Sequence, residues 1–190
     1  KVFVLFGSEE KFFIAALNQN DLYPLFYQEV PGVKDGHSIL VLENKLYITS
    51  TGTDEVLSYD IFERGVENPH VIWKASSAKS DTHHINSIVE LNGEILVSAF
   101  GPKKNILWAS ASNGYVHNIS QDIRVETGLY HPHSLSINDG KIYYSNSQKN
   151  SVCSLENQKE LFQLNGYTRG IGWISSELIC AASSVGSKKS

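Results

Sequence analysis

A twelve-residue unit returns four times along this chain, and that recurrence limits the folds open to it more than any other feature. The copies are residues 37–48, 86–97, 133–144 and 169–180, and they align without gaps. The first column reads His37, Asn86, His133 and Arg169. The second reads Ser38, Ser87, Ser134 and Gly170, and the third Ile39, Ile88, Leu135 and Ile171. Apolar and polar residues alternate in the first half, as on a strand with one buried face. A two-residue turn follows at a fixed offset, as in Asn92-Gly93 and Asp139-Gly140, where Asn, Asp and Gly tolerate positive φ. Lys or Glu comes next, then three residues that are mostly β-branched or aromatic and suit a pleated sheet.

The copies begin at 37, 86, 133 and 169, so they are spaced by 49, 47 and 36 residues. Repeats of about 40–50 residues, each with several strands, are the pattern of propeller blades. The spacing predicts an all-β chain of about four to five four-stranded antiparallel blades. One domain covers 1–190, with a partial blade at 1–30, blades at about 31–80, 81–127 and 128–164, and a partial blade at 165–190. Strands are expected at 2–6, 11–17 and 25–27, then at 55–60 and 70–74 behind the first copy. Behind the second they are expected at 105–109 and 114–118, and behind the third at 152–155 and 160–164. The core is expected from Ile39, Val41, Leu46, Ile48, Ile88 and Ile95, together with Val97, Leu135, Ile137, Ile142 and Ile171. No 3.6-residue apolar stripe persists long enough to predict a helix. Four complete or partial inner strands do not close a ring of ordinary size, so further blades are expected to flank this segment.

Net charge narrows the partners. The formal charge is −4 and the pI near 6.0, which argues against a nucleic-acid partner, since phosphate-backbone binding rests on clustered Lys and Arg. Lys188-Lys189 reads as a solvated end. No apolar run approaches the ~20 residues of a membrane span, so no membrane partner is expected. Cys153 and Cys180 fall inside strand patterns and read as reduced thiols. Residues 1–6 are too short for the apolar core of a signal peptide, and a cytoplasmic location is expected. The chain has no Met, so Lys1 is read as lying inside a longer polypeptide.

Pro132-His133-Ser134-Leu135-Ser136-Ile137-Asn138-Asp139-Gly140-Lys141-Ile142-Tyr143-Tyr144 resembles the NHL-type blade motif, in which a Pro-x-Gly-apolar strand precedes Asp-Gly-x-apolar-Tyr-Val. It also resembles the six-bladed lactonase and strictosidine-synthase superfamily, where Pro-Asn-Gly-apolar opens a blade. His84-Ile85-Asn86, Pro132-His133-Ser134 and Gly166-Tyr167-Thr168-Arg169-Gly170 are most similar to an uncharacterised bacterial propeller family, a domain of unknown function. The resemblance covers about residues 31–184 and implies a six-bladed ring.

The resemblance also implies where a site lies. In such propellers the first strand of each blade lines the central channel, so His37, Asn86, His133 and Arg169 are expected to converge on its mouth. Polar groups converging on a rigid scaffold suit a small ligand. Arg169 with two histidines favours an anion or polyhydroxylated ligand over a cation, because the guanidinium fork fits carboxylate or phosphate. His84 and His131 are candidate neighbours; His83 and His84 point to opposite faces if extended, so at most one reaches the mouth. The same column has a plainer reading, in which it only hydrogen-bonds neighbouring loops and channel water. In the lactonase group a residue at the Asn86 position binds a divalent metal, but no Asp or Glu opens any copy here, and no metal ligand is assigned. His131 and His133, two apart, could face one side of a strand and hold zinc, but lack a third ligand nearby. Ser38, Ser87 and Ser134 recur blade after blade and read as structural, and no Gly-x-Ser-x-Gly elbow occurs. His70 and His117 read as surface residues on outer strands. The preferred reading is a ligand-binding or scaffolding propeller, with no cofactor or catalytic residue assigned. The alternatives are a metal-dependent hydrolase of the lactonase type and a protein-interaction platform.

Overall fold

The computed structural model describes residues 1–8, 11–78 and 80–183. Glu9 and Glu10 of the first turn, Lys79 of the loop into the second copy, and the 184–190 tail with Lys188-Lys189 lie outside the described residues. Among the described residues every regular element is a β-strand or a three-residue 3₁₀ turn.

The chain forms two compact units, Lys1–Asn86 and Ser87–Ser190. In the first, β1 (Val2–Ser8), β2 (Lys11–Leu17) and β3 (Pro24–Glu29) make a three-stranded antiparallel sheet. A four-stranded meander follows, of β4 (Gly36–Leu42), β5 (Lys45–Ser50), β6 (Glu55–Ile61) and β7 (Val66–Lys74). Alternate residues Phe12 and Ile14 of β2 pack with Leu46 and Ile48 of β5 and Leu57 and Tyr59 of β6, so one core lies between the two sheets.

The division between the units falls within β8 (Ile85–Leu91), which joins β9 (Glu94–Ala99), β10 (Gly114–Asn118) and β11 (Ile123–Leu129) in a four-stranded sheet. The next meander is β12 (Pro132–Asn138), β13 (Lys141–Asn146), β14 (Ser151–Ser154) and β15 (Glu160–Gln163). β16 (Tyr167–Ile174) and β17 (Glu177–Ser183) form a final hairpin. Leu96, Val116 and Leu129 pack against Leu135, Tyr144 and Cys153, a second core between sheets. The hairpin turns sit where the repeat places them. Asn92 and Gly93 have φ of 54° and 83°, and Asp139 and Gly140 48° and 69°, as a two-residue turn with both central residues left-handed requires.

Several details differ from the sequence reading. Residues 105–109 are not a strand. Ser110 Oγ accepts the N–H groups of Lys104 and Asn105 and donates to the Leu107 carbonyl, which folds this stretch into a loop. The third strand is β10 and the fourth β11, whose Ile123 and Val125 face outward. His117 is not a surface residue; it is 6% exposed on β10, with Nε2 3.0 Å from Asp122 Oδ1. Val41 is 39% exposed, while Leu46 and Ile48 are fully buried. The cause is strand order, because β4 is the edge of its meander and β5 is central. Val41 lines an open groove with Phe3 and Ile61. Ile137 and Ile171, also on edge strands, are half-buried.

Candidate functional site

Three of the four column residues are aimed by the backbone before them. Asp35, His84 and His131 precede His37, Asn86 and His133 by two positions, and their φ values are 48°, 52° and 53°. A non-glycine residue in this left-handed region turns the chain sharply as it enters the strand. A β-bulge adds to the turn. Gly36 pairs with Ser50 and Ser38 with Thr49, leaving His37 as the extra residue. Thr168 pairs with Ala182 and Gly170 with Ala181, leaving Arg169 extra in the same way. A bulged residue escapes the strict alternation of the strand and can point where the pleat would not send it.

In the second unit the structure brings His131, His133 and Arg169 together. His133 Nδ1 lies 2.7 Å from Ser147 Oγ and 3.2 Å from the His131 carbonyl oxygen. The Ser147 hydroxyl donates to the Thr168 carbonyl at 2.5 Å, so its oxygen accepts and His133 Nδ1 carries the proton. His133 Nε2 then presents a lone pair, and Arg169 Nη1 lies 3.3 Å from it as donor. His131 has the opposite tautomer. Its Nε2 is 2.9 Å from the Trp108 carbonyl oxygen, which only accepts, so that nitrogen carries the hydrogen. Its Nδ1 accepts from the Tyr167 hydroxyl at 2.8 Å. Burial pushes the Tyr167 phenol up to about 12 against the opposing influence of Arg169, so it keeps the proton it donates.

Aromatic rings frame these groups. Phe100 stacks flat on His131, with centroids 4.1 Å apart and planes 5° from parallel, and meets His133 edge-on at 4.8 Å. Tyr167 meets His133 edge-on at 5.6 Å, and the Arg169 guanidinium lies 4.9 Å over the Tyr167 ring. Phe100, His131 and His133 are buried, whereas Arg169 is exposed.

The first unit brings His37, His84 and Asn86 together. Thr51 Oγ1 lies 3.0 Å from His37 Nδ1 and donates to the Ile85 carbonyl. His37 Nδ1 is also 3.0 Å from the Asp35 carbonyl oxygen, and its ring meets His84 edge-on at 5.1 Å. His84 Nδ1 contacts Asp81 Oδ2 at 3.0 Å, and the Asn86 amide donates to the His84 carbonyl at 3.2 Å. Two serines of the second column, Ser87 and Ser134, staple sheets. Ser87 Oγ accepts the Leu135 N–H at 2.6 Å, and Ser134 donates to the Arg169 carbonyl.

Sequence reasoning missed Ser147, Thr51, Tyr167, Phe100 and Trp108. One signal was available: a hydroxyl stands fourteen residues after each column histidine, at Thr51 and Ser147. Both ring nitrogens of His131 are engaged as described, and among the described residues no three His, Cys, Asp or Glu side chains gather to hold an ion.

No protein-family model and no curated protein matches the sequence. Solved structures do match. A luciferin-regenerating enzyme superposes with a TM-score of 0.66 at 14% identity, over 92% of this chain and 62% of that one. The Dos1 propeller gives 0.55 at 8% identity, over 95% of this chain and 50% of that one. The WD40 β-propeller domain of Doa1 gives 0.53 at 8% identity, over 94% and 59%. The fold is that of a β-propeller. The four-stranded meanders are its blades, and the chain spans less than two thirds of each matched structure's length.

Proposed function

We propose that this propeller recognises a small polar or anionic ligand, such as a carboxylate or an acidic sugar, through the cluster around Arg169. The observation that carries the reading is the exposed guanidinium held against a neutral histidine. Arg169 donates to His133 Nε2 in the free protein, and no ion pair among the described residues neutralises it. An incoming carboxylate offers a stronger, charge-assisted partner than an imidazole lone pair. Protonation of His133 at Nε2 replaces an acceptor with a donor, which releases Arg169 and adds a second positive group facing the same ligand. His37, His84 and Asn86 are proposed as ligand-facing positions of the first unit. We assign the blades to a six-bladed ring of NHL or lactonase type, in line with the motif around His133. The unpaired thiols of Cys153 and Cys180 favour a reducing, cytoplasmic setting.

The test is titration of the protein with benzoate and with inorganic phosphate, followed by calorimetry and by histidine ring shifts in NMR. Arg169→Ala should weaken binding about ten- to a hundredfold while leaving thermal unfolding unchanged. Failure of both anions to bind the wild type removes the reading. A protein-interaction platform is the second reading, favoured by Ile106 and Leu107, which are 88% and 64% exposed on the loop after β9.

A further inference from the structure

The aromatic frame of the Arg169 cluster ends in a second cation. Lys103 Nζ lies 4.4 Å over the Trp108 ring. Trp108 meets Phe100 edge-on at 5.7 Å, Phe100 stacks on His131, and His131 is bonded to both the Trp108 carbonyl and the Tyr167 hydroxyl. Arg169 lies over Tyr167. The contacts thus run without a break from one exposed cation to the other: Lys103, Trp108, Phe100, His131, Tyr167, Arg169. No carboxylate belongs to this series, and no ion pair among the described residues involves either cation. A ring face orients a cation without neutralising it, so each keeps its charge for a further partner. The loop carrying Lys103 is itself fixed. Ser110 Oγ holds the Lys104 and Asn105 amides, and Gln148 Nε2 donates to the Ala109 carbonyl at 2.9 Å.

We infer that the ligand of this cluster is a dianion, with two anionic groups at the ends of a flat, largely apolar body. This rests on the reading that Arg169 binds an anion, and adds that Lys103 binds a second one on the same molecule. Trp108 and Tyr167 are the partly exposed rings of this frame, whereas Phe100 and His131 are buried, and a flat body suits offset or edge-to-face contact with exposed rings. A monoanion engages one cation and leaves the other solvated. A dianion of matching length engages both within one binding event, and the second contact carries no further association entropy.

Calorimetric titration with terephthalate, benzoate and terephthalamide tests this, using the full chain and its Lys103→Gln and Arg169→Gln variants. Circular dichroism and thermal unfolding confirm that each variant is folded. Terephthalate should bind the wild type about tenfold or more tighter than benzoate, and terephthalamide should not bind. In Lys103→Gln the ratio of terephthalate to benzoate affinity should fall to about one, the single-anion limit. In Arg169→Gln both affinities should drop. Equal wild-type affinities for terephthalate and benzoate, with a ratio unmoved by Lys103→Gln, overturn the dianion inference and leave the single-anion reading standing. Absence of wild-type binding by both anions overturns the two together.

Discussion

In the first copy of the repeat the extra residue of the bulge is His37 itself, between the Gly36–Ser50 and Ser38–Thr49 pairs. In the third copy His133 pairs with Ser145, and the irregularity follows it, where Ser134 has φ of 49°. Yet both histidines use Nδ1 in the same way, against the carbonyl two residues back and a hydroxyl fourteen residues on. Both hydroxyls pass the bond to the carbonyl that precedes the next column residue, at Ile85 and Thr168. The hydrogen-bond scaffold therefore survives a one-residue shift of the bulge. The two sites differ in what meets each ring. His37 has a histidine and an aspartate close by, and His133 has an arginine and a tyrosine. The scaffold fixes where the imidazole sits, and the neighbours fix its chemistry.

The largest effect that separates the copies is in the core. Leu46 and Ile142 occupy the same repeat position, but Leu46 is fully buried and Ile142 only half-buried. Leu46→Ala should cost about 2–5 kcal/mol by urea unfolding, and Ile142→Ala about half as much. Equal costs would show that the two sheets are covered alike.

Next in size are the hydroxyls. Thr51→Val and Ser147→Ala each remove the acceptor of a histidine N–H and the donor to a buried carbonyl. Each should destabilise by about 1–3 kcal/mol. Similar losses would confirm a shared scaffold. A loss confined to Ser147→Ala would show that the Thr51 bond is incidental.

The smallest effect is a pH dependence set by His117. Burial, with Arg124 adding to it, holds this imidazole below the usual histidine range despite the Asp122 contact. The unfolded chain then binds the proton more readily than the folded one. Stability from this group is full above the ordinary histidine value, about 6.5, and declines as pH falls below it towards the depressed folded value. His117→Gln should flatten that decline in thermal unfolding followed across the interval. An unchanged slope would show that other groups set it.

The alternation and turns of the repeat made most strands and the Asn92-Gly93 and Asp139-Gly140 hairpins legible, because a period of two and an Asn-Gly or Asp-Gly turn are local properties. Residues 105–109 misled because Ile106-Leu107-Trp108 has strand composition, whereas the backbone bonds of Ser110 decide its course. Ile123 and Val125 on β11 gave a weak signal, since their apolar side chains face outward on an edge strand. The column residues were legible as a column. Tyr167 and Phe100 were not, because they reach His133 from other sheets and sequence distance says nothing of such contacts, whereas Ser147 follows the strand paired with that of His133.

The left-handed residues at 35, 84 and 131 have a consequence for anyone who would re-engineer this surface. The address of the side chains at 37, 86 and 133 is written two positions upstream, in a backbone torsion. Libraries that vary positions 37, 86 and 133 sample new chemistry on an intact frame. Libraries that place Val or Ile at 35, 84 or 131 ask a β-branched residue to hold φ near +50°, and so change the direction of the neighbouring side chain before any selection begins. Glycine at 35 keeps the direction, while at 84 or 131 it keeps the direction and deletes a histidine ring of its cluster.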